Sequence, residues 1–535
     1  MCPLRGKSVS TSRVGKATSI PFPTRHPHKN IPHHTSSDRL LILGTILLGL
    51  ALRWPLWTAF RFREDEALYA HWAWLIYSHI DPMLQSAPVD KPPLFPYLLA
   101  RTFTLLGPSE IAARWPNLLA GGVSLPLLYT WARSHCGPST ARRALFIYAI
   151  LPLSILLTPT AYTDTLMVGW LLLAMALALP QRPFLLTFLS GVALGAAIAT
   201  KPFALLWFPL LLVEILRKRS GTRFIGWTSG VAIPLWHWWS WEHLRGGTPT
   251  IIAAVHHYGG FRLLSAEYWI PRALTWGGVF ILTLGGLPLL FLLGGYIIPS
   301  QHQRTPRYIR FLWGWLFTVW FLYLSTNLQP WDRYLLVVMP VVALLMAYGW
   351  ERTSHWISGE YPDKIWAIEG IIIVLLLWTG IRGGTADYPV GGDHGAYDGI
   401  DAVSAYVATA LPQGGILYHH WLGWHYGFYL FAAPYDYRWW PTPSWLAQDA
   451  ARPDGIPRIL VFPAWHERER QTVMQALHAA NVQVHLMVRV YDRHGTIRFY
   501  VYTLSTGPSR QTNHPSRAQD PQMPIPQRIT RAQES

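Results

Sequence analysis

The sequence is poor in charge. Only 13% of its 535 residues are Asp, Glu, Lys or Arg, against about 25% in an ordinary soluble domain. A water-exposed surface over most of the chain is therefore excluded. Cysteine is nearly absent: Cys2 and Cys136 are the only two. Both fall in segments assigned below to the cytoplasm, which argues against a structural disulfide and a thiolate metal cage. There is no P-loop, no GxGxxG after a strand, no HExxH and no internal repeat, so the common nucleotide and zinc signatures are missing. The 28 acids are outnumbered by 44 Lys and Arg. Those basic residues lie in tails and short loops without interleaved aromatics, which argues against a nucleic-acid partner.

What is present is hydrophobic length. A membrane helix needs about 20 mostly apolar residues. By that rule about eleven candidates centre near 40–58, 111–131, 142–159, 164–180, 184–200, 202–216, 224–240, 273–297, 309–325, 334–350 and 366–382. The 29 Trp and 25 Tyr suit a chain with long membrane–water boundaries. Alternate loops, "WARSHCGPSTARR", "RKRSGTR" and "QHQRTPRYIR", are basic and are assigned to the cytoplasm with the N-terminus. The opposite loops hold the acids and face outward. The expected architecture is an α-helical polytopic membrane protein with a small C-terminal extracytoplasmic α/β domain. The expected location is a bacterial inner membrane.

Residues 1–39 form a basic tail rich in Ser, Pro and His, expected to be disordered and cytoplasmic. Its "RHPHKNIPHH" fits a flexible tail better than a metal site. The membrane part is expected at 40–383, with its first outer loop at 59–109. Residues 384–506 alternate helices and strands as an α/β domain does: helices in "YDGIDAVSAYVATALP" and "WHERERQTVMQALHAANV", strands "GGILYHH" and "RILVFP", and a hairpin turning at Asp492–Gly495. Residues 507–535 are expected to be a second disordered tail.

The first outer loop poses the chemical question. Arg63, Glu64, Asp65 and Glu66 stand where the first apolar run ends, followed by "ALYAHWAWLIYSH" and then "VDKPPLFPYLLARTF". Two interfacial helices are expected here. The first carries Leu68, Trp72, Leu75 and Ile76 on one apolar face, with Tyr69 one turn from Asp65. Ionisable groups at that depth are costly and tend to line cavities or pathways.

The set "DEALYAHWA", "DKPPLFPYLLARTF", "GPSEIAARWPNLLAGG", "TPTAYTDTLMVGW", "GVALGAAIATKPFALL" and "NLQPWDRYLLVVMP" resembles membrane glycosyltransferases of the GT-C class. The nearest group is the dolichyl-phosphate-mannose protein mannosyltransferases with their bacterial relatives, including the lipid A aminoarabinose transferase. The likeness covers roughly the first 350 residues. It places the family's Asp-Glu pair at Asp65–Glu66, the Lys-Pro-Pro at Lys91, the arginine of the following helix at Arg114, the next outer aspartate at Asp164, and the lysine between later helices at Lys201. Phe203 stands where the family has glycine after Lys-Pro.

The resemblance implies a polyprenyl-phosphate sugar as donor and a glycan, lipid or protein hydroxyl as acceptor. It implies Asp65 as general base, with Glu66 and Asp164 as further catalytic candidates. Lys91, Lys201, Arg333 and Arg114 are candidate phosphate ligands, Arg114 equally a partner of Glu110. Tyr69, His256, His257 and Tyr258 are candidates to shape the acceptor or sugar site. Inversion at the anomeric carbon fits a single base. No cofactor is required, or Asp65 and Asp164 share a divalent cation, Mg²⁺ or Mn²⁺. "YHHWLGWHYGFYLF", with His419, His420 and His425, is either a carbohydrate surface or a packed edge against the membrane part. The rival class is a transporter or lipid flippase, against which the charges gather in outer loops and no paired broken helices appear.

Overall fold

The computed structural model describes residues 36–284, 291, 305–506 and 522–523. Of the expected tails at 1–39 and 507–535, residues 1–35 and all but 522–523 lie outside these residues, as does most of 285–297, while residues 36–39 already belong to helix Ser36–Arg53. Helices dominate as far as Gly384. Among the described residues three are long and apolar enough to cross a membrane: Ser36–Trp57, Asp332–Glu360 and Ile365–Gly384. Ile371, Val374 and Trp378 on the last of these are exposed. An apolar face without protein cover is what a lipid-facing helix presents.

Several expected spans have different ends. The two at 111–131 and 142–159 are two helices within Glu110–Ile150, parted at Gly137, whose φ of +86° is not helical, and the second ends at Ile150 instead of 159. The helix then stops at Leu151, and a short one, Pro152–Leu157, follows. Proline supplies no N–H, so the break leaves carbonyls short of donors. The buried Arg53 answers them: Nη1 donates to Ala149 O (2.8 Å) and Gly49 O (2.6 Å), Nη2 to Ser154 Oγ (2.8 Å). The expected 202–216 helix begins as a 3-10 turn, Pro202–Trp207, before Phe208–Leu216.

Close helix packing follows from small residues. A Cβ on Gly191 would meet Trp227 O at 2.0 Å, and one on Gly230 would meet Phe188 O at 2.2 Å. Helices Phe184–Thr200 and Gly221–Arg245 therefore touch backbone to backbone, as small-residue faces allow in membranes. The second of these is about 37 Å long at 1.5 Å per residue. Its far end, Arg245, donates to Leu84 O and Ala87 O of the first loop. The basic 217–219 turn thus stands at the opposite end of this helix.

The first loop differs from the expectation of a helix lying on the membrane surface. In helix Glu64–Tyr77, Ala67, Leu68, Tyr69, Ala70, Trp72, Ala73 and Ile76 are all buried. It is packed by Leu94–Leu106 and by the C-terminal helix Gly423–Tyr429. His71 Nδ1 lies 2.7 Å from Gly427 O, and Trp74 stacks on Phe431 at 4.7 Å. The "YHHWLGWHYGFYLF" segment is in this respect a packed edge.

The C-terminal strands are β1 Ile416–His419, β2 Asp436–Trp439, β3 Arg458–Pro463, β4 Val482–Tyr491, β5 Ile497–Thr506 and β6 Gln522–Met523. They form one sheet in the order β2-β1-β3-β5-β4-β6. β1 pairs parallel with β2 and β3, while β4 and β5 are the antiparallel hairpin, closed by Asp492 N–H to Thr496 O. β2 is absent from the sequence reading because "DYRW" is short and polar.

Burial holds His419 and His425 neutral, each pushed down to about 4. A histidine in the unfolded chain takes its proton near pH 6.5. Between those limits the unfolded state binds more protons, so stability falls as pH drops from about 6.5 toward 4. Glu64, Asp393 and Asp398 are shifted up, mainly by burial, and offset part of this. Thermal unfolding followed from pH 7 to 4 is expected to fall less steeply in a His419→Asn, His425→Gln variant.

Candidate active site

Three acids occupy the first turn of helix Glu64–Tyr77, where the helix dipole favours negative charge. Successive residues of a helix point in different directions, and these three have three different fates. Glu66 turns inward. Its oxygens accept from Arg114 Nε (3.1 Å), Ala161 N (2.7 Å) and Arg63 N (3.2 Å), and it is 1% exposed. Arg114 donates in addition to Trp57 O and Phe60 O, both at 3.0 Å. Neither side chain lines the large cavity. Glu66, expected as catalytic, and Arg114, expected as a phosphate ligand, instead spend these polar groups here on tying the loop to helix Glu110–Ile150. Arg114 also approaches Glu110, at 3.7 Å.

Asp65 faces a cavity of about 740 Å³. Lys91, Lys201, Arg333, Asp90, Asp164, Tyr69, His257 and Tyr258 line the same space. Residues from six separate stretches of sequence thus converge. His256 does not line it and is exposed; it points elsewhere because it precedes His257 on one short helix, Thr250–Tyr258.

Each cation in the cavity has its own carboxylate. Arg333 Nη1 donates to Asp65 Oδ2 at 2.5 Å. Lys201 Nζ donates to Asp164 Oδ1 at 2.6 Å. Lys91 Nζ donates to Asp90 Oδ2 and to Tyr258 OH, both at 2.7 Å. Aromatic faces supply the remaining contacts. Lys201 lies 4.7 Å from the Tyr334 ring, and Arg333 lies 4.6 Å from Trp331 and 5.0 Å from Tyr162. Phe203 stacks on Tyr334 at 4.9 Å, so the residue at the glycine position of the resembled motif builds this wall. Burial and the nearby Asp90 and Asp65 push the Tyr258 hydroxyl upward, which keeps it a neutral donor or acceptor.

Asp65 and Asp164, the pair expected to share a divalent cation, do not share a partner here. Each carboxylate is already held by a different cation, and among the described residues no group of three or more His, Cys, Asp or Glu converges.

A second cavity, about 560 Å³, shares Asp65, Trp331 and Arg333 with the first. Its other walls include Arg63, Glu64, Asp393 and Tyr397. Glu64 accepts a hydrogen bond from Tyr397 OH. Arg63 Nε pairs with Asp393 Oδ1 at 3.1 Å. Gly392, at φ +119°, lets the backbone pass so close that a Cβ would meet Arg63 Nη1 at 1.8 Å. Gly391 N donates to Asp332 Oδ2 at 2.5 Å, beside Arg333. Residues 389–397 thus fold back onto the site instead of opening the C-terminal sheet region.

Sequence reasoning missed Asp90, Trp331 and Tyr334 in the first cavity and Tyr162, Asp393 and Tyr397 in the second. Asp90 had a signal, since it directly precedes Lys91-Pro-Pro. Asp393 had a weaker one, in the glycine-rich "VGGDHG".

Residues 90–241 match the family model described as dolichyl-phosphate-mannose-protein mannosyltransferase. No curated protein matches the sequence. The fold is similar to crystal structures of ArnT from Cupriavidus metallidurans. The form bound to undecaprenyl phosphate superposes with a TM-score of 0.57 at 16% identity, over 88% of this chain and 99% of that one. The apo form gives 0.60 at 16% identity, over 89% and 100%. The chain therefore shares the largely helical fold of these structures.

Proposed function

We propose that this chain is an integral membrane glycosyltransferase. It moves a sugar from a polyprenyl-phosphate-linked donor to an acceptor hydroxyl on the extracytoplasmic side. The observation that carries this reading is the position of Asp65: it stands in the wall between a large cavity holding three cations and a smaller polar one. The large cavity takes the donor. Lys91, Lys201 and Arg333 meet its phosphate, and the rings of Phe203, Tyr334 and Trp331 cover its apolar part. The acceptor enters from the side of Glu64, Asp393 and Tyr397.

The reaction is one displacement. The acceptor hydroxyl gives its proton to Asp65 while its oxygen bonds to the anomeric carbon. The bond from that carbon to the phosphate oxygen breaks, and the electron pair stays on the polyprenyl phosphate. Fixed cations in a site shielded from water stabilise the developing charge without reorganising. Three carboxylates balance three cations before donor binds, so a lipid phosphate competes with Asp65 for Arg333. Its arrival frees a carboxylate oxygen for the proton. A single base with no glycosyl-enzyme intermediate gives inversion.

The orientation follows from charge. The basic 217–219 turn lies at the cytoplasmic end of a helix whose other end holds the first loop, so the site faces outward. This reading keeps the eleven spans, the N-terminus in the cytoplasm, residues 384–506 outside, and a bacterial inner membrane.

The test is direct. Purified protein in proteoliposomes is supplied with labelled undecaprenyl-phosphate sugars, and transfer to an acceptor is followed. Uptake of the lipid without transfer would sink the proposal and favour a flippase. Undecaprenyl phosphate binding is expected to weaken about tenfold or more in Lys91→Ala and in Lys201→Ala, the order lost when one partner of a buried charge contact is truncated. Equilibrium binding of the labelled lipid measures it.

A further inference from the structure

The C-terminal sheet carries a feature that the proposed reaction leaves unused. β1, β2 and β3 are parallel, and β1 lies between the other two. The chain leaves β1 for β2 on one side and then crosses to β3 on the other. A reversal of this kind opens a crevice at the carboxyl ends of the strands, where open α/β sheets bind ligands. Here those ends carry His419–His420–Trp421 after β1, Trp439–Trp440 at β2, and Trp465–His466 after β3.

The rings are in series. Tyr397 of the second cavity contacts Trp465 at 5.1 Å between centroids. Trp465 is followed by His466 at 6.2 Å, and His466 stacks on Trp421 at 6.1 Å and 17°. Trp421 meets His420 at 4.4 Å, and His420 stacks against Trp439 at 5.7 Å and 28°. The inner end is joined to the catalytic helix through the Tyr397–Glu64 hydrogen bond, one residue from Asp65.

Three of these rings are exposed: Trp421 at 46%, Trp439 at 55% and Trp465 at 39%. Hydrogen-bonding groups lie between them. Glu469 stands 3.5 Å from His466 Nδ1 and 3.9 Å from His420 Nε2. His420 Nδ1 lies 2.9 Å from Trp440 O, which fixes the ring. Contiguous exposed aromatic surface marks an interaction site. Exposed indole rings interleaved with a carboxylate and imidazoles match a saccharide chain. Its C–H faces stack on the rings and its hydroxyls bond between them. Rings inserted into a bilayer would not be paired with a carboxylate at the centre of the patch.

We infer that this aromatic row is a track for the non-reacting sugars of the acceptor, and hence that the acceptor is a glycan chain whose end reaches Asp65 through the second cavity. This rests on the glycosyltransferase reading above and specifies its acceptor class.

The test uses the full chain in lipid nanodiscs and four linear probes: maltohexaose, cellohexaose, mannohexaose and chitohexaose. Binding is measured by calorimetry and by saturation-transfer NMR. At least one probe is expected to bind, and a W421A/W439A variant is expected to bind it about tenfold more weakly, as loss of two aromatic contacts implies. A W421F/W439F variant, which keeps the ring faces, is expected to retain it. Absence of binding by all four probes, or equal binding by the Ala variant, would overturn the track. So would quenching of Trp421 and Trp439 by brominated lipids in the nanodisc, which would assign the rings to the bilayer. Undecaprenyl phosphate binding is measured in parallel. If wild type and variant both bind it while saccharide binding fails, the track alone is wrong. If neither binds it, the glycosyltransferase reading fails, and the track with it.

Discussion

Replacing Asp65 by Asn is expected to lower sugar transfer by about 10²–10⁴-fold, the usual contribution of a positioned general base. The amide keeps the shape of the carboxylate and one oxygen for Arg333, but it cannot take the acceptor's proton. Undecaprenyl phosphate binding should therefore persist and is expected to strengthen, because Arg333 no longer shares its charge with an anion at 2.5 Å. Single-turnover transfer from a labelled polyprenyl-phosphate sugar measures the first effect, and equilibrium binding measures the second. An Asp65→Asn protein that transfers at the wild-type rate would remove the base from the mechanism. The neighbouring Glu66→Gln change provides the contrast. Glu66 reaches no cavity that holds the donor, so its replacement is expected to act on stability and not selectively on the chemical step.

The second large effect belongs to Arg114. Its guanidinium is 2% exposed and joins Glu66, Trp57 O and Phe60 O, with the Phe62 ring 5.2 Å away. Arg114→Ala would leave Glu66 charged, buried and short of a partner, together with two carbonyls. Breaking a buried pair in this way costs about 3–5 kcal/mol. Thermal unfolding in detergent should show a large loss. The double variant Glu66→Gln, Arg114→Met is expected to be less destabilised than the sum of the two singles, since it removes both charges together. A role in binding the donor phosphate predicts the opposite pattern: an unchanged melt and weakened undecaprenyl phosphate binding in Arg114→Ala. That result would return Arg114 to the cavity.

Much of the fold was legible because it depends on local pattern. Apolar length announces a helix wherever it occurs, and "VHLMVRVYDRHGTIRFYVYTL" declares its hairpin through alternation and an Asp-Arg-His-Gly turn. Helix ends were less legible. The stop at Leu151 is enforced by Pro152 together with an arginine roughly a hundred residues earlier, and no local window contains both. The packing of helix Glu64–Tyr77 was misjudged for the same reason. Its outward face looks made for lipid until Gly423–Tyr429, more than 340 residues later, covers it.

The sequence by itself determined the chemistry available. It placed Asp65, Lys91, Asp164, Lys201 and Arg333 at the ends of apolar runs, where carboxylates and cations are tolerated only beside a partner or a polar space. Tertiary structure alone decided which partner each one took. It sent Glu66 and Arg114 into the interior, left Asp65 between two cavities, and brought Glu64, Asp393 and Tyr397 to its other side. The reason is geometric. Residue type and spacing fix which groups share a helix turn, whereas charge pairing across tens or hundreds of residues depends on how the helices dock.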